Sequence, residues 1–521
     1  MTAIKYPIGR QDFGKLISDG CLYVDKTGYI HRLVSESKYV FLSRPRRFGK
    51  SLLLSTIDAF FKGRQELFKG LDIERLEPGE WKSYPVLHLD LSNSNYVDSA
   101  SLENALSTFM SQYESEYGIK ERNSDLGQRL EILIREIHRQ TGRDVVILID
   151  EYDNPITQVI GDSALQEELR RILHGFFSSL KTCDSVIRFC MLTGVTKYGK
   201  MSVFSGLNNL LDISFMDEYA GVCGITEAEL HDNFHKGVEK LADKYNISMQ
   251  AAYDRLKENY DGYHFSERLL DVYNPYSIVN ALYASRIGSY WFGTGTPTML
   301  VKLLRRLDID VETLNGSEAS MSQIGNISTF SVNPKALFYQ TGYLTIKRYD
   351  EKYDSFILGF PNREVESGFM ECLLDIYTQN GDAESLVRKM RRVLDEGNTE
   401  GFITLFQTYL ADMPFDLRKK VGKYENYYHT IFYAVFSLLG VNVDAEYHTS
   451  RGSIDLVVKV KNYIYVIELK INGTASDAMN QIKEKGYTLP FEADGRNIVA
   501  LGIGFSKATN TIESWEIENL S

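Results

Sequence analysis

The stretch that decides the fold of the N-terminal part of the chain is Phe41-Leu42-Ser43-Arg44-Pro45-Arg46-Arg47-Phe48-Gly49-Lys50-Ser51. An apolar, strand-like run at residues 39–42 leads into it, and an apolar, helix-like run at residues 52–61 follows it. A strand–loop–helix segment with Gly-Lys-Ser is typical of phosphate-binding loops, where backbone N–H groups and a lysine contact phosphate oxygens. The segment therefore predicts a nucleoside triphosphate site.

The predicted loop departs from the usual pattern G-x-x-x-x-G-K-[ST] at one position. Arg44 stands where the first glycine is expected, so the spacing alone is a degenerate match and the strand–loop–helix context supports it. Five consecutive residues are expected to contact the nucleotide: Arg47, Phe48, Gly49, Lys50 and Ser51. The hydroxyl of Ser51 is also expected to be a ligand of Mg²⁺.

A second element of such a site follows about 100 residues later. The apolar run 145–149 leads into Asp150-Glu151, and acids at the end of a buried strand fit an Mg²⁺ ligand, Asp150, and a base that polarises the attacking water, Glu151. The alternative is a strand that ends in solvated acids. Thr193, after the apolar run 187–192, is expected to sense the γ-phosphate or else simply to end its strand.

Short apolar strands alternate with longer helix-like stretches in the first part of the chain. This alternation predicts an α/β fold with a mostly parallel sheet. We expect a domain that binds a nucleoside triphosphate at residues 1–225, a mainly helical middle region with a small β element at 226–394, and an α/β domain at 395–521 with the order α-β-β-β-α-β. The β element is predicted from residues 342–348 and 355–358.

The C-terminal domain carries a second constellation of charged residues. Glu468 and Lys470 end a strongly apolar strand and share a face, because side chains alternate along a strand. A turn at residues 461–462 allows a hairpin to bring Asp455 beside Glu468. Two carboxylates suit a divalent cation that activates water, so Asp455, Glu468 and Lys470 are predicted nuclease residues; the alternative is a solvated hairpin face.

The chain resembles the bacterial AAA-ATPase-like family that carries a C-terminal PD-(D/E)XK nuclease domain. The motifs that carry this resemblance are 44–51 (RPRRFGKS), 23–27 (YVDKT), 148–153 (LIDEYD), 193–195 (TGV), 204–209 (FSGLNN), 273–275 (YNP) and 340–344 (QTGYL). The resemblance implies an AAA-type core with sheet order 5-1-4-3-2, ATP as the nucleotide and a restriction-endonuclease-like C-terminal domain. It also implies three accessory residues at the nuclease site: Glu425, Gln481 and Tyr487.

Charge limits how the chain can meet nucleic acid. The 521 residues carry a formal net charge of −12, which excludes a basic nucleic-acid coat. Residues 395–521 hold twelve Lys or Arg against seventeen Asp or Glu, and phosphate binding needs cations. We therefore expect weak binding of DNA or RNA by this domain alone, with help from Mg²⁺ or Mn²⁺, a basic surface elsewhere, or assembly into a homo-oligomer.

The five scattered cysteines form no CxxC pair, which indicates reduced thiols in a cytoplasmic protein. The longest apolar stretch, residues 431–441, is too short to span a bilayer, so no membrane partner is expected.

Two functional hypotheses follow from these patterns. The first is an ATP-hydrolysing protein that gates a metal-dependent nuclease acting on DNA or RNA. The second is a nucleotide-switched interaction protein whose nuclease fold is inactive, which the acidic C-terminal domain and the altered loop favour. A less favoured third class is an ATPase that remodels protein partners.

Overall fold

The structure is a computed structural model that describes residues 4–120, 125–197, 210–292, 314–325, 334–378, 383–411, 434–439, 443–449, 452–506, 509 and 511–520. The chain divides into two compact units. The N-terminal unit is Met1–Trp291 with Asn315–Glu364, and the C-terminal unit is Phe292–Leu314 with Val365–Ser521. The predicted middle region, 226–394, is shared between the two units, and its boundaries stay a prediction.

A parallel five-stranded sheet, as far as the described residues show, forms the centre of the N-terminal unit. Its strands are β1 (Tyr39–Ser43), β2 (Val86–Asp90), β3 (Val145–Asp150), β4 (Ile187–Gly194) and β5 (Leu211–Asp212). They lie in the order β2-β3-β4-β1-β5. This is the expected 5-1-4-3-2 order. Every residue of β1 and β3 is buried, as in parallel sheets covered on both faces.

Helices occupy most of the remaining N-terminal unit. They are α1 (Phe13–Ser18), α2 (Thr27–Glu36), α3 (Lys50–Phe61), α4 (Asp72–Leu76), α5 (Ser99–Glu116), α6 (Leu126–Thr141), α7 (Asn154–Gln158), α8 (Ser163–Thr182), α9 (Glu227–Tyr245), α10 (Met249–Tyr260), α11 (Pro275–Ala284), α12 (Met321–Gly325) and α13 (Pro334–Thr341). Because α3 begins at Lys50, the phosphate loop connects β1 directly to a helix N-terminus, as the sequence predicts.

The predicted small β element is present in the later part of the N-terminal unit. The strands there are β6 (Ile225–Thr226), β7 (Val272–Tyr273), β8 (Glu318–Ala319), β9 (Thr345–Asp350) and β10 (Ser355–Gly359). The pairing of β9 with β10 is antiparallel, and β8 joins on the other edge of β10. Helices α9, α10 and α11 share one apolar core that includes Leu230, Phe234 and Leu256.

The C-terminal unit contains a mixed sheet whose described strands number five. Its helices and strands are α14 (Arg363–Thr378), α15 (Ala383–Asp395), α16 (Thr399–Ala411), β11 (Val443–Thr449), β12 (Gly452–Lys459), β13 (Tyr463–Ile471), α17 (Ala475–Lys485), β14 (Asn497–Ser506) and β15 (Thr511–Leu520); α14 begins two residues before the unit does. The order is β11-β12-β13-β14-β15, and only β13 and β14 are parallel to each other.

The predicted strand–strand–strand–helix–strand order is thus present, with one further edge strand, β15. Of the predicted first helix, 424–439, the structure describes residues 434–439. Helix α17 packs closely on the sheet, since a Cβ atom added to Gly502 would lie 2.6 Å from the Ala475 carbonyl oxygen. Glycine is therefore required where helix and strand backbones approach each other.

None of the helices among the described residues combines the length and the apolar character that a membrane crossing requires.

Candidate nucleotide and nuclease sites

The phosphate loop owes its shape to left-handed backbone at two positions. Gly49 has φ 97° and immediately precedes α3, and Arg47 has φ 67°. A Cβ atom on Gly49 would meet no atom within 4 Å. The glycine is therefore needed for its backbone conformation and not for space. Ser51 lies half-buried in the first turn of the helix.

Lys50 lies at the centre of the loop and is buried, with 4% of its surface exposed. Its Nζ atom donates to the carbonyl oxygens of Arg44 and Pro45 at 3.1 and 3.3 Å. The same atom is 3.1 Å from Glu151 Oε1. The predicted phosphate-binding lysine thus bridges the loop and the predicted water-activating acid.

Arg44, which replaces the first glycine of the usual pattern, is a buried structural residue. Its guanidinium donates to the carbonyl oxygens of Ser43 (2.9 Å), Ser214 (2.8 Å) and Tyr219 (3.1 Å). It also lies 4.0 Å from the centre of the Phe265 ring. The charge is compensated by carbonyl dipoles and an aromatic face, so Arg44 fixes the loop to the segment that follows β5.

The side chains of Arg47 and Phe48 differ in what they can offer a nucleotide. Phe48 is 1% exposed and packs edge-on against Tyr263, with ring centres 4.8 Å apart. Its side chain therefore belongs to the protein core, and only its backbone remains for a phosphate. Arg47 is exposed, with its guanidinium 5.0 Å from the centre of the Tyr276 ring.

The predicted acids lie at the carboxyl end of β3. Asp150 is 3% exposed and its Oδ1 atom accepts from the Thr193 hydroxyl at 2.5 Å. Glu151 adopts a left-handed conformation with φ 52°. Burial raises the pKa of Glu151, whereas the charge of Lys50 acts to lower it. The structure therefore brings together Lys50, Glu151, Asp150 and Thr193.

Two groups that support the loop, Trp291 and Gly342, were not predicted to do so from the sequence. Trp291 Nε1 donates to the Arg46 carbonyl oxygen at 2.9 Å. Gly342, with φ 89°, lies so close to the loop that a Cβ atom on it would be 2.7 Å from Pro45 Cβ. In the sequence, the glycine of the motif 340–344 is the feature that indicates a close approach of this kind. The motif 204–209 lies outside the described residues.

In the C-terminal unit, Asp455 and Glu468 are brought together on the neighbouring strands β12 and β13. The Leu469 N–H donates to Asp455 Oδ2 at 2.8 Å, and the Asp455 N–H lies 3.5 Å from Glu468 Oε2. Asp455 is exposed, whereas Glu468 is 1% exposed. Burial, and then the charge of Asp455, raise the pKa of Glu468 to about 7.

Lys470 connects this acid pair to α17. Its Nζ atom lies 3.2 Å from Glu468 Oε1 and donates to Gln481 Oε1 at 2.5 Å. Gln481 Nε2 is in turn 3.5 Å from the Tyr487 hydroxyl. Gln481 therefore connects Lys470 to Tyr487. The third predicted accessory residue, Glu425, lies outside the described residues.

The donor set of this site suits a hard divalent cation. Asp455 and Glu468 supply carboxylate oxygens, and Mg²⁺ is usually bound through one or two carboxylates together with water and substrate phosphate. Within the described ranges, no group of three or more His, Cys, Asp and Glu side chains is arranged to hold a metal. A cation here would therefore depend on oxygen ligands beyond the two carboxylates.

The folds and the two sites define the class of protein. A parallel sheet with a phosphate loop after β1 and acids after β3 is an AAA-type ATPase-like core, and the C-terminal sheet with Asp455, Glu468 and Lys470 is a PD-(D/E)XK arrangement. A family described as "Predicted AAA-ATPase" matches residues 7–204, and one described as "PD-(D/E)XK nuclease superfamily" matches residues 423–515.

A curated relative extends the likeness over the whole chain. The "Uncharacterized protein in vnfD 5'region" of Azotobacter chroococcum mcd 1 is 34% identical over 536 residues, covering 100% of both chains. The chain belongs to the family of AAA-ATPase-like proteins with a C-terminal PD-(D/E)XK nuclease superfamily domain.

Proposed function

We propose that the protein binds and hydrolyses ATP in the N-terminal unit and that this nucleotide cycle gates a metal-dependent nuclease in the C-terminal unit. The observation that carries the proposal is that a single chain assembles both a Lys50–Glu151–Asp150 constellation and an Asp455–Glu468–Lys470 constellation. The nucleic acid is taken to be DNA, with RNA as the alternative substrate.

In the ATPase half of the proposal, Lys50 moves from the loop carbonyls to the β- and γ-phosphates, and the N–H groups at the start of α3 face the phosphate oxygens. Glu151 then loses its cationic partner and accepts a proton from the attacking water. Ser51 and Asp150 would hold Mg²⁺, which neutralises phosphate charge. Thr193 orients Asp150 through the hydroxyl hydrogen bond.

In the nuclease half, Asp455 and Glu468 would hold Mg²⁺ or Mn²⁺, which supplies a Lewis acid for the phosphodiester. Lys470 carries a positive charge beside Glu468 and is oriented by Gln481. Protonation of Glu468 competes with cation binding. Because this acid is buried, its protonation state, and with it cation binding, depends on the charges beside it.

The acidic character of residues 395–521 shapes the proposed mode of DNA binding. This region has fewer Lys and Arg than Asp and Glu, so it gains little binding free energy from the release of counterions from DNA. Binding by this domain alone is therefore expected to be weak and cation-dependent, and to be strengthened by the rest of the chain or by assembly of copies. We place the protein in the cytoplasm as part of the same proposal, in keeping with its free thiols.

The proposal is tested by incubating the full chain with single- and double-stranded DNA and RNA, in Mg²⁺ or Mn²⁺, with and without ATP. Cleavage that is lost in Glu468→Ala and kept in Lys461→Ala supports the nuclease, because Lys461 is an exposed lysine in the turn that precedes β13. ATP hydrolysis that survives in Glu468→Ala shows that the two activities reside in different sites.

The second candidate is a nucleotide-switched interaction protein. The observation that favours it is the excess of acid in residues 395–521. It predicts ATP binding but no cleavage of any of the four nucleic acids under any cation. The same panel of substrates therefore separates the two candidates.

A further inference from the structure

Asp153 is buried at the start of α7 without capping that helix. It is 1% exposed, and its side chain makes no capping hydrogen bond to α7. Its oxygens instead reach the loop after β4. Oδ1 accepts from the Val195 N–H at 3.1 Å, and Oδ2 accepts from the Thr196 N–H at 2.6 Å and from the Thr196 hydroxyl. Three donors of one loop are thus satisfied by one carboxylate.

Tyr152 adds a second connection between the same two segments. Its N–H donates to the Thr193 carbonyl oxygen at 3.0 Å, and its hydroxyl donates to the Thr196 carbonyl oxygen at 2.9 Å. Between them, Gly194 leaves no room for a side chain, because a Cβ atom would lie 2.5 Å from Asp153 Oδ1 and 2.7 Å from the Tyr152 ring. The segments 150–153 and 193–196 therefore interlock.

This interlock contains the acids of the nucleotide site. Asp150 is its first residue and accepts from the Thr193 hydroxyl, and Glu151 lies inside it with φ 52°. A left-handed conformation is unfavourable for a residue with a side chain, so it persists only where neighbouring contacts enforce it. The contacts that follow Glu151 in the chain are those of Tyr152 and Asp153.

From this geometry we infer that Asp153 is a positioning residue of the ATPase site, which fixes the loop 193–196 and thereby places Thr193, Asp150 and Glu151. The inference rests on the proposed ATPase function. Asp153 touches neither phosphate nor metal in this account. It acts through the placement of groups that do, and small displacements of such groups can cost about 100-fold in rate.

The test compares steady-state ATP hydrolysis by the full chain and its Asp153→Asn variant. Asparagine places an N–H₂ group where a carboxylate oxygen accepts, so one loop donor loses its partner. We expect kcat to fall by about 10- to 100-fold. Asp162→Asn is the matched control, because this exposed aspartate caps α8 through the Leu165 N–H and should leave kcat unchanged.

A second variant guards against misfolding of the first. Thr196→Val removes only the hydroxyl donor to Asp153, so a smaller fall in kcat is expected. A non-catalytic readout is ATP affinity by calorimetry with Mn²⁺ and with EDTA. Misplacement of Asp150 should weaken binding only when Mn²⁺ is present.

The results separate this inference from the function on which it rests. Folded Asp153→Asn with wild-type kcat and wild-type Mn²⁺ dependence overturns the positioning role while the ATPase stands. Equal loss of affinity with Mn²⁺ and with EDTA also overturns it, since that result indicates general disruption of the site. If the wild-type chain neither binds nor hydrolyses ATP, the proposed function fails and the inference falls with it.

Discussion

Lys50 Nζ lies 3.1 Å from Glu151 Oε1, so the lysine of the phosphate loop and the acid that follows β3 form an ion pair. The pair is largely withdrawn from solvent, with 3% of the Lys50 side chain and 21% of the Glu151 side chain exposed. A triphosphate that engages Lys50 must compete with this carboxylate. In the proposed function, arrival of the nucleotide therefore releases Glu151 from Lys50.

Substituting Glu151→Gln tests that link. The amide keeps the shape of the side chain but neither pairs with Lys50 as an anion nor accepts a proton from water. We expect ATP affinity, measured by calorimetry, to be kept or increased. Phosphate release should fall by about 10²- to 10⁴-fold, the range for loss of a general base. Glu167→Gln, which removes a partly exposed partner of Arg170, is the control. If Glu151→Gln hydrolysed ATP as fast as Glu167→Gln does, Glu151 would not be the general base.

Substituting Gly342→Ala tests the support of the phosphate loop. A Cβ atom at this position would approach Pro45 Cβ to 2.7 Å, and φ 89° adds backbone strain. Displacement of the loop should lower ATP affinity by about tenfold, which corresponds to about 1.4 kcal/mol.

Gly70→Ala is the matched control for Gly342→Ala. Gly70 has a similar φ of 83°, but a Cβ atom there would meet no atom within 4 Å. It therefore carries the backbone strain without the clash. Equal ATP affinity in the two variants would show that contact with Pro45 has no effect on the loop.

Substituting Gln481→Ala tests the orientation of Lys470 at the nuclease site. Loss of the 2.5 Å hydrogen bond from Lys470 leaves the ammonium free to turn away from Glu468. Outer residues of metal sites typically contribute about 10- to 100-fold to activity, and we expect a fall of that size in the rate of DNA cleavage. Asn480→Ala, at the exposed neighbouring position on α17, should cleave at the wild-type rate; a similar fall there would point to the helix as a whole.

A pH dependence of stability is expected from Asp261. Both of its carboxylate oxygens are buried and accept no hydrogen bond from the part of the chain that the structure describes. Lys257 Nζ is 3.8 Å away, and the acids Asp271 and Glu227 also face it. Burial raises the pKa of Asp261 to about 7.

The sign of this effect follows from proton binding. An unfolded aspartate ionises near pH ~3.9, whereas the folded protein keeps the proton to about pH 7. Stability should therefore fall as pH rises from about 4 to 7 and level off above, by about 4 kcal/mol in total. Urea unfolding at pH 5 and pH 8 should show about 3 kcal/mol of this loss, because two pH units separate pH 5 from the folded pKa. Asp261→Asn should lower this difference by about that amount, while the share of Glu468, whose pKa is also raised to about 7, should remain. Exposed Asp243→Asn should leave the difference unchanged; an unchanged pH dependence in Asp261→Asn would exclude this source.

Much of the fold is predictable because its signals are local. Strands β1 and β3 are almost entirely apolar, β4 is apolar from residue 189 to 192, and Asp150 and Thr193 lie at the carboxyl ends of β3 and β4. The approach of Asp455 to Glu468 follows from a tight turn and strand periodicity. These features need no knowledge of distant contacts.

Other features depend on contacts far along the chain and were not predictable. Arg44 looks like a solvent-exposed cation in the sequence, and it is buried only because the carbonyls of Ser214 and Tyr219 lie beside it. Phe48 adjoins the glycine of the loop but turns into the core against Tyr263. Strand β15 was not predicted, because its three acids, Glu513, Glu516 and Glu518, resemble a solvated segment.

In the proposed function, the nucleotide state of the N-terminal unit controls the nuclease. The most direct measurement is the rate of Mn²⁺-dependent DNA cleavage by wild-type protein and by Lys50→Ala, each with and without ATP. ATP should change the wild-type rate and leave the Lys50→Ala rate unchanged, because the variant lacks the phosphate-binding ammonium. Cleavage that is equal in both proteins, with and without ATP, would contradict the proposed function.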